Sequence, residues 1–199
     1  MAEPEHIDPF TELANQGLYS PRGYDRVEYL PQLRGRKQAE LYREMAQGDA
    51  LIGAVLFAIE MVLRQVTWEV EPAGSDNYHM QRADFLESCK DDLSHTWDQV
   101  ITDALTMLPQ GWAWLECVYK KRTTPDIDAD ARERSKFPDG KIGWRKFVLV
   151  PQQTVSDFEL DEFGGVQAIV QGGAYGSNRI RIPIEKSLLF RTDSRSPRG

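Results

Sequence analysis

The chain has 199 residues, 41% of them hydrophobic and 28% charged, with 24 basic against 31 acidic side chains and a formal net charge of −7. That length corresponds to roughly one domain, able to hide about 70% of its extended surface, and the composition excludes collagen, wholesale disorder and a disulfide scaffold. An acidic chain is also a poor candidate for wrapping DNA, because that affinity comes from neutralising phosphates.

Residues 1–36 carry Pro4, Pro9, Pro21 and Pro31 without sustained periodicity. They predict an extended arm or leader, with one helical turn near Phe10–Asn15. Such segments become ordered by lying on a neighbour; a plain disordered tail is the competing reading. Met1–Pro9 is acidic and shows no apolar core of a signal peptide.

Residues 37–199 read as one α+β domain. Gln38–Ala46 predicts a short helix ended by Gly48, and Asp49 is placed to cap the next one. That next helix, Ala50–Gln65, is apolar on nearly every side through Leu51, Ile52, Val55, Leu56, Ile59, Met61, Val62 and Leu63. A helix apolar all round is expected to be covered all round, so it is placed as the central core helix. The run Ala50–Leu63 contains Glu60 and is shorter than the roughly 20 residues that cross a bilayer. A soluble, intracellular protein with no membrane partner is expected.

Trp68–Glu71 alternates as a short strand closed by Pro72–Gly74. Two amphipathic helices follow. Over 77–92, Tyr78, Arg82, Phe85, Leu86, Cys89 and Leu93 share a face; over 95–108, Trp97, Val100, Ile101, Ala104, Leu105 and Leu108 do so. Pro109 and Gly111 end the second. From there the period becomes two. Trp112–Arg122 reads as a long strand with Ala113, Leu115, Cys117 and Tyr119 on one face, and Lys141–Val150 as its return after a polar insertion, Thr123–Gly140. Asp157–Leu160 and Val166–Gln171 flank the turn Asp161–Gly165, and Arg179–Ile182 and Ser187–Arg191 are further strands around Pro183. Helices first and strands afterwards predict an α+β fold, the helices packed on a mostly antiparallel sheet of short strands from 112–191.

Candidate chemistry is sparse. Asp126, Asp128 and Asp130 have the spacing of a calcium loop's first ligands, but Ala131 and Phe137 stand where the turn glycine and the bidentate glutamate belong. A solvated acidic loop is the expectation. Gly172, Gly173 and Gly176 precede the strand-like Arg179–Ile182 rather than a helix, so they make no phosphate cradle. His6, His79 and His95 are scattered, no serine sits in a nucleophile-elbow context, and Cys89 and Cys117 are too few for a closed zinc site. Glu116, between Trp114 and Val118 on one strand face, is a carboxylate that burial would make less acidic. Without an acid/base partner it reads as a salt-bridged structural residue. No catalytic residue, cofactor or metal is expected. Charge is uneven: residues 179–199, with Arg179, Arg181, Lys186, Arg191, Arg195 and Arg198 against Glu185 and Asp193, sum to +4, and the remainder to −11. A basic end on an acidic body suits nucleic acid or the acidic surface of a neighbouring subunit, and equally a solvated end.

Four phrases in order resemble tailed-bacteriophage portal proteins. They are Tyr42-Arg43-Glu44-Met45 leading through Asp49 and the apolar helix to Trp68-Glu69-Val70-Glu71-Pro72; Gly111-Trp112-Ala113-Trp114-Leu115-Glu116-Cys117-Val118-Tyr119; the hairpin Phe158–Gly165 with Val166–Gln171; and Ile182-Pro183 followed by Lys186-Ser187-Leu188-Leu189-Phe190. The resemblance covers residues 38–199 and implies the N-terminal, wing-side portion of such a protein, with stem helices, clip and tunnel loop expected beyond Gly199. It implies a structural ring, a dodecamer, at one capsid vertex of the virion. That ring is assembled in the host cytoplasm and serves as a conduit for genome packaging and ejection. The implied partners are further copies of the chain, the major capsid protein, a neck or adaptor protein, terminase during packaging, and double-stranded DNA that passes without sequence-specific binding. Two other readings stand beside it. One is a stand-alone α+β adaptor or neck module of the same particle; the other is a hydrolase using Glu116 with acidic partners from the 126–130 or 157–162 loops.

Overall fold

The structure is a computed structural model that describes residues 30, 33, 35–162, 164–172 and 179–192. The predicted arm and its turn at Phe10–Asn15 lie outside these residues, apart from a few positions leading into the first helix. That helix, α1 (Gly35–Gly48), starts three residues before the predicted Gln38. Asp49 then caps α2 (Ala50–Arg64): its Oδ1 accepts from the amides of Leu51 at 2.8 Å and Ile52 at 3.0 Å. Two free amides of the first turn are satisfied in this way. Among the described residues no single helix is long and apolar enough to cross a membrane; α1 and α2 reach that length only as a pair bent by 91°.

Beyond α2 the chain runs extended through Trp68–Glu71 without pairing into a sheet, contrary to the predicted strand. Alternation is not enough for a strand; a ladder partner is needed, and both sheets of this fold are built from later segments. The segment is tied instead to the next helix, where Lys90 Nζ donates to the Trp68 carbonyl at 2.6 Å. Helix α3 (Asn77–Asp91) is capped by Asp76 and α4 (Trp97–Leu105) by Thr96. The predicted 95–108 helix is broken at Thr106 into α4 and a single turn, α5 (Met107–Gln110). Pro109 explains the break, since it has no amide to donate to the Leu105 carbonyl and its ring crowds that position. Gly111 closes the turn at φ 82°, a left-handed conformation that suits glycine.

Among the described residues six strands form two antiparallel sheets, β2-β1-β6 and β3-β4-β5, which gives the predicted α+β fold with its strands divided between two sheets. Their bounds are β1 Trp112–Lys121, β2 Ile142–Val150, β3 Val155–Leu160, β4 Val166–Gln171, β5 Ile180–Pro183 and β6 Ser187–Arg191. Strand β1 is central and both of its faces are covered. One face, with Ala113, Leu115 and Cys117, packs with Leu93, Val100 and Phe147 beneath α4. The other, with Trp112 and Trp114, meets Phe158, Ile169 and Ile182 of the second sheet. Those three align across β3, β4 and β5 in register, and the Phe158 ring stands edge-on to Trp112 at 5.0 Å and to Trp114 at 6.3 Å. The order of layers is therefore helices, first sheet, second sheet.

The predicted β1 face breaks at its fourth member. Ala113, Leu115 and Cys117 are buried, but Tyr119 is 44% exposed. The ladder is irregular at this point: Val118 pairs with Lys146 and Tyr119 with Trp144, so Arg145 of β2 is the extra, unpaired residue. On α3, Ala83 and Cys89 are buried, whereas Tyr78 and Leu86 of the predicted face are exposed. The largest departure is α2. No residue of this helix is buried, so it is not the central core helix its composition predicted.

Candidate functional site

The residues that chemistry would need are kept apart. Glu116 is partly exposed at the margin of the second-sheet side and its Oε1 takes Lys186 Nζ at 2.7 Å. Four of the acidic groups proposed to assist it are engaged elsewhere. Asp130 is held by the Arg132 guanidinium and backbone amide, which lower its carboxyl to about 2. Asp126 caps the Asp128 amide at 3.0 Å, Glu159 pairs with Arg181 at 2.6 Å, and Asp161 accepts from Gly165 and Gln167. Among the described residues no three His, Cys, Asp or Glu side chains converge on a point that would hold a metal. His79 bonds the Asp76 carboxylate at 2.8 Å. His95 has a buried, unbonded Nε2, and burial holds its pKa below the ordinary value despite the opposing charge of Asp103. Cys89 and Cys117 are free and buried, and burial pushes the Cys117 thiol up. His6, Gly173, Gly176, Arg195 and Arg198 lie outside the described residues. Of the basic end, Arg181 and Lys186 are already paired within the chain.

Charge is instead concentrated where no motif announced it, between α3, β1, β2 and the insertion 123–140. Asp92 and Arg122 are 3% and 2% exposed. The Asp92 carboxylate accepts from Ser135 Oγ at 2.6 Å and the Lys136 amide at 2.8 Å, with Lys120 Nζ at 3.0 Å. Burial works hardest against its charge, yet these donors together outweigh burial and hold Asp92 below the usual carboxylate value. Arg122 lies between the rings of Phe85 and Phe137, reaches Asp139 at 3.2 Å, and donates to Ser88 Oγ and the Phe137 carbonyl. Gly143 makes room for it, since a Cβ there would sit 2.8 Å from Arg122 Cδ. This network is a clasp that fastens the polar insertion to the body. Its members come from five separate stretches, so sequence spacing carries no signal of it.

The second unusual feature is α2 itself. Leu51 is 75% exposed, Val62 66%, Phe57 61% and Val55 52%, with Ile52 and Ile59 also exposed. Leu51, Val55, Ala58 and Val62 follow one another at intervals of four, three and four, the spacing along which helices pack as seams. Val66 and Trp68 extend the apolar surface past the end of the helix. Contiguous apolar surface of this kind marks an interaction site on a folded protein. The sequence disclosed the apolar helix and misjudged its burial within the chain.

A family model described as the portal protein of Mu bacteriophage matches residues 39–198. No curated protein matches the chain. The match spans most of the chain, which therefore belongs to this phage portal family and has a structural role in a phage portal.

Proposed function

We propose that this chain is the wing-side part of a portal subunit that assembles with further copies into a ring at one capsid vertex, a conduit for genome packaging and ejection. The observation that carries the reading is the bare α2 of a chain in the portal family: its exposed apolar surface is unfavourable in water and becomes favourable when a neighbouring subunit covers it. A closed ring needs two different patches on each subunit, and α2 supplies one of them. The net charge of −7 also suits a channel through which DNA slides without being gripped. Residues 1–36 serve in this reading as an arm that clasps the next subunit. The ring, dodecameric by resemblance, would then offer its faces to the major capsid protein, a neck or adaptor protein and terminase.

The test is electron microscopy of the protein purified from its complete reading frame and of the parent particle. Rings with a central hole, located at a single vertex, are the expected result. A monomeric globule attached beneath a ring made of another protein would replace this reading with the adaptor or neck module. The hydrolase reading gains nothing from the geometry, because Glu116 pairs with Lys186 and Asp130 and Asp161 are bonded within their own loops.

A further inference from the structure

A cleft of about 610 Å³ opens between the insertion, the α3–α4 connection and the edge strand β2. It is strongly basic in an acidic chain. Lys120, Arg134, Lys136, Arg145 and Lys146 line it against one acid, Asp92, and that acid is already neutralised by Lys120. The other four cations have no ion-pair partner among the described residues. Arg134 is held by the Ile127 carbonyl at 2.7 Å and Lys136 by the Asp91 carbonyl at 2.8 Å, bonds that fix the side chains without cancelling their charge. Arg145 is half-buried, and its Nε is shut off from water without a hydrogen bond. Asp130 feels the Arg145 charge, but its carboxylate is engaged by Arg132. The charges of these four side chains are therefore left to an anion in the cleft.

The rest of the lining says which oxyanion. Leu93, Pro125, Ile127 and Ala131 stand among the cations, and Ile127 is 76% exposed. A phosphodiester backbone has no use for such a surface, whereas a peptide that alternates carboxylates with aliphatic side chains uses both. The overall charge of −7 also opposes a long polyanion while leaving a short acidic segment free to reach a local basic cleft. We propose that this cleft is a docking site for an acidic protein segment, whose carboxylates meet Arg145, Lys146, Arg134 and Lys136 and whose neighbouring aliphatic side chain covers Ile127. The site is separate from α2 and does not depend on ring formation.

The experiment uses the 199-residue chain and a fluorescent peptide of sequence Glu-Leu-Asp-Glu-Leu-Glu, followed by anisotropy. Beside it run the amide counterpart Gln-Leu-Asn-Gln-Leu-Gln, inorganic phosphate and a short double-stranded DNA. The acidic peptide is expected to bind, with affinity falling as salt rises, and the amide peptide not to bind. Reversing two charges, Arg145→Glu with Lys146→Glu, is expected to weaken binding about tenfold, which corresponds to about 1.4 kcal/mol. Ile127→Ser should weaken it by about twofold to fivefold, reporting the aliphatic contact. Should the reversal lower the melting temperature, the milder pair Arg145→Gln with Lys146→Gln keeps the test, with a loss of about threefold expected. The proposal is overturned by an acidic peptide that does not bind, by equal binding of the amide peptide, or by unchanged affinity in the charge variants. It is equally overturned if DNA or phosphate binds more tightly than the peptide and is lost in the same variants.

Discussion

Helix α2 is the most apolar element of the molecule and none of its residues is buried, whereas the polar insertion 123–140 is held by two of the most deeply buried residues, Arg122 and Ser135, each 2% exposed. The two regions differ in what their partners can be. The buried charges of the insertion's clasp find counterparts within the chain: Asp92 for Lys120, with Ser135 donating to it, and Asp139 for Arg122. Among the described residues helix α2 leans mainly on α1 and the margin of α4, where Thr102 reaches Glu60 at 3.5 Å, and it leaves its apolar sides exposed. Hydropathy therefore states that a segment must be covered without stating by which chain. A region completed internally should be sensitive to substitution in the isolated protein. One completed by a neighbour should be sensitive only on assembly.

The largest effect is expected at the clasp. Asp92→Ala removes the acceptor of Ser135 and leaves Lys120 and Arg122 buried with less compensation. Breaking a buried pair in this way costs about 3–5 kcal/mol, readable in a denaturant melt. A loss below about 1 kcal/mol would mean that the insertion is not fastened by these charges. Acid tests the same group from another side. Its folded pKa lies below the ordinary 3.8, so the contribution of Asp92 is complete above that value and disappears as the pH falls through it toward the folded value. Melting temperatures followed from pH 6 to pH 2 should show this loss in the parent chain and a shallower slope in Asp92→Asn.

A smaller effect is expected at Gly143→Ala, where the new methyl meets Arg122 Cδ at 2.8 Å and Cys89 Sγ at 3.3 Å. Overpacking of this kind costs about 1–3 kcal/mol, and a neutral result would show that Arg122 can withdraw freely. The smallest effect on the isolated chain, within about 0.5 kcal/mol, is expected for Leu51→Glu with Val62→Glu on α2, because neither side chain is buried. The same double substitution should abolish ring formation by the complete protein, checked by electron microscopy. Strong destabilisation of the chain would instead give α2 a core role and dissolve the contrast between the two regions.

How legible these features were in the sequence follows from the range of the interactions involved. The caps at Asp49 and Thr96, the return strand and the hairpin around Asp161–Gly165 depend on neighbours a few residues away, and local pattern exposed most of them. The α+β class followed from the change of period after Gly111. The shift at Val118/Tyr119 was hidden, because a bulge leaves no trace in the alternation of one strand. That both faces of β1 are covered was hidden as well, since the residues that meet Trp112 and Trp114 lie in a second sheet some forty or more positions along the chain. The clasp and the basic cleft join residues more than twenty positions apart, and no spacing rule reaches that far. For α2 the composition was read correctly, and the error lay in placing it in the core of this chain, where none of its residues is buried.

The claim that α2 is covered by a neighbouring subunit can be measured with a single cysteine. Val55→Cys places a thiol at a position 52% exposed, while Cys89 and Cys117 are buried and give little background. Maleimide labelling of that thiol would be timed in the isolated chain and in assembled rings of the complete protein. The account predicts rapid labelling in the first and strong protection in the second. Equal rates in both would contradict it, because α2 would then stay bare in the assembly that is meant to cover it.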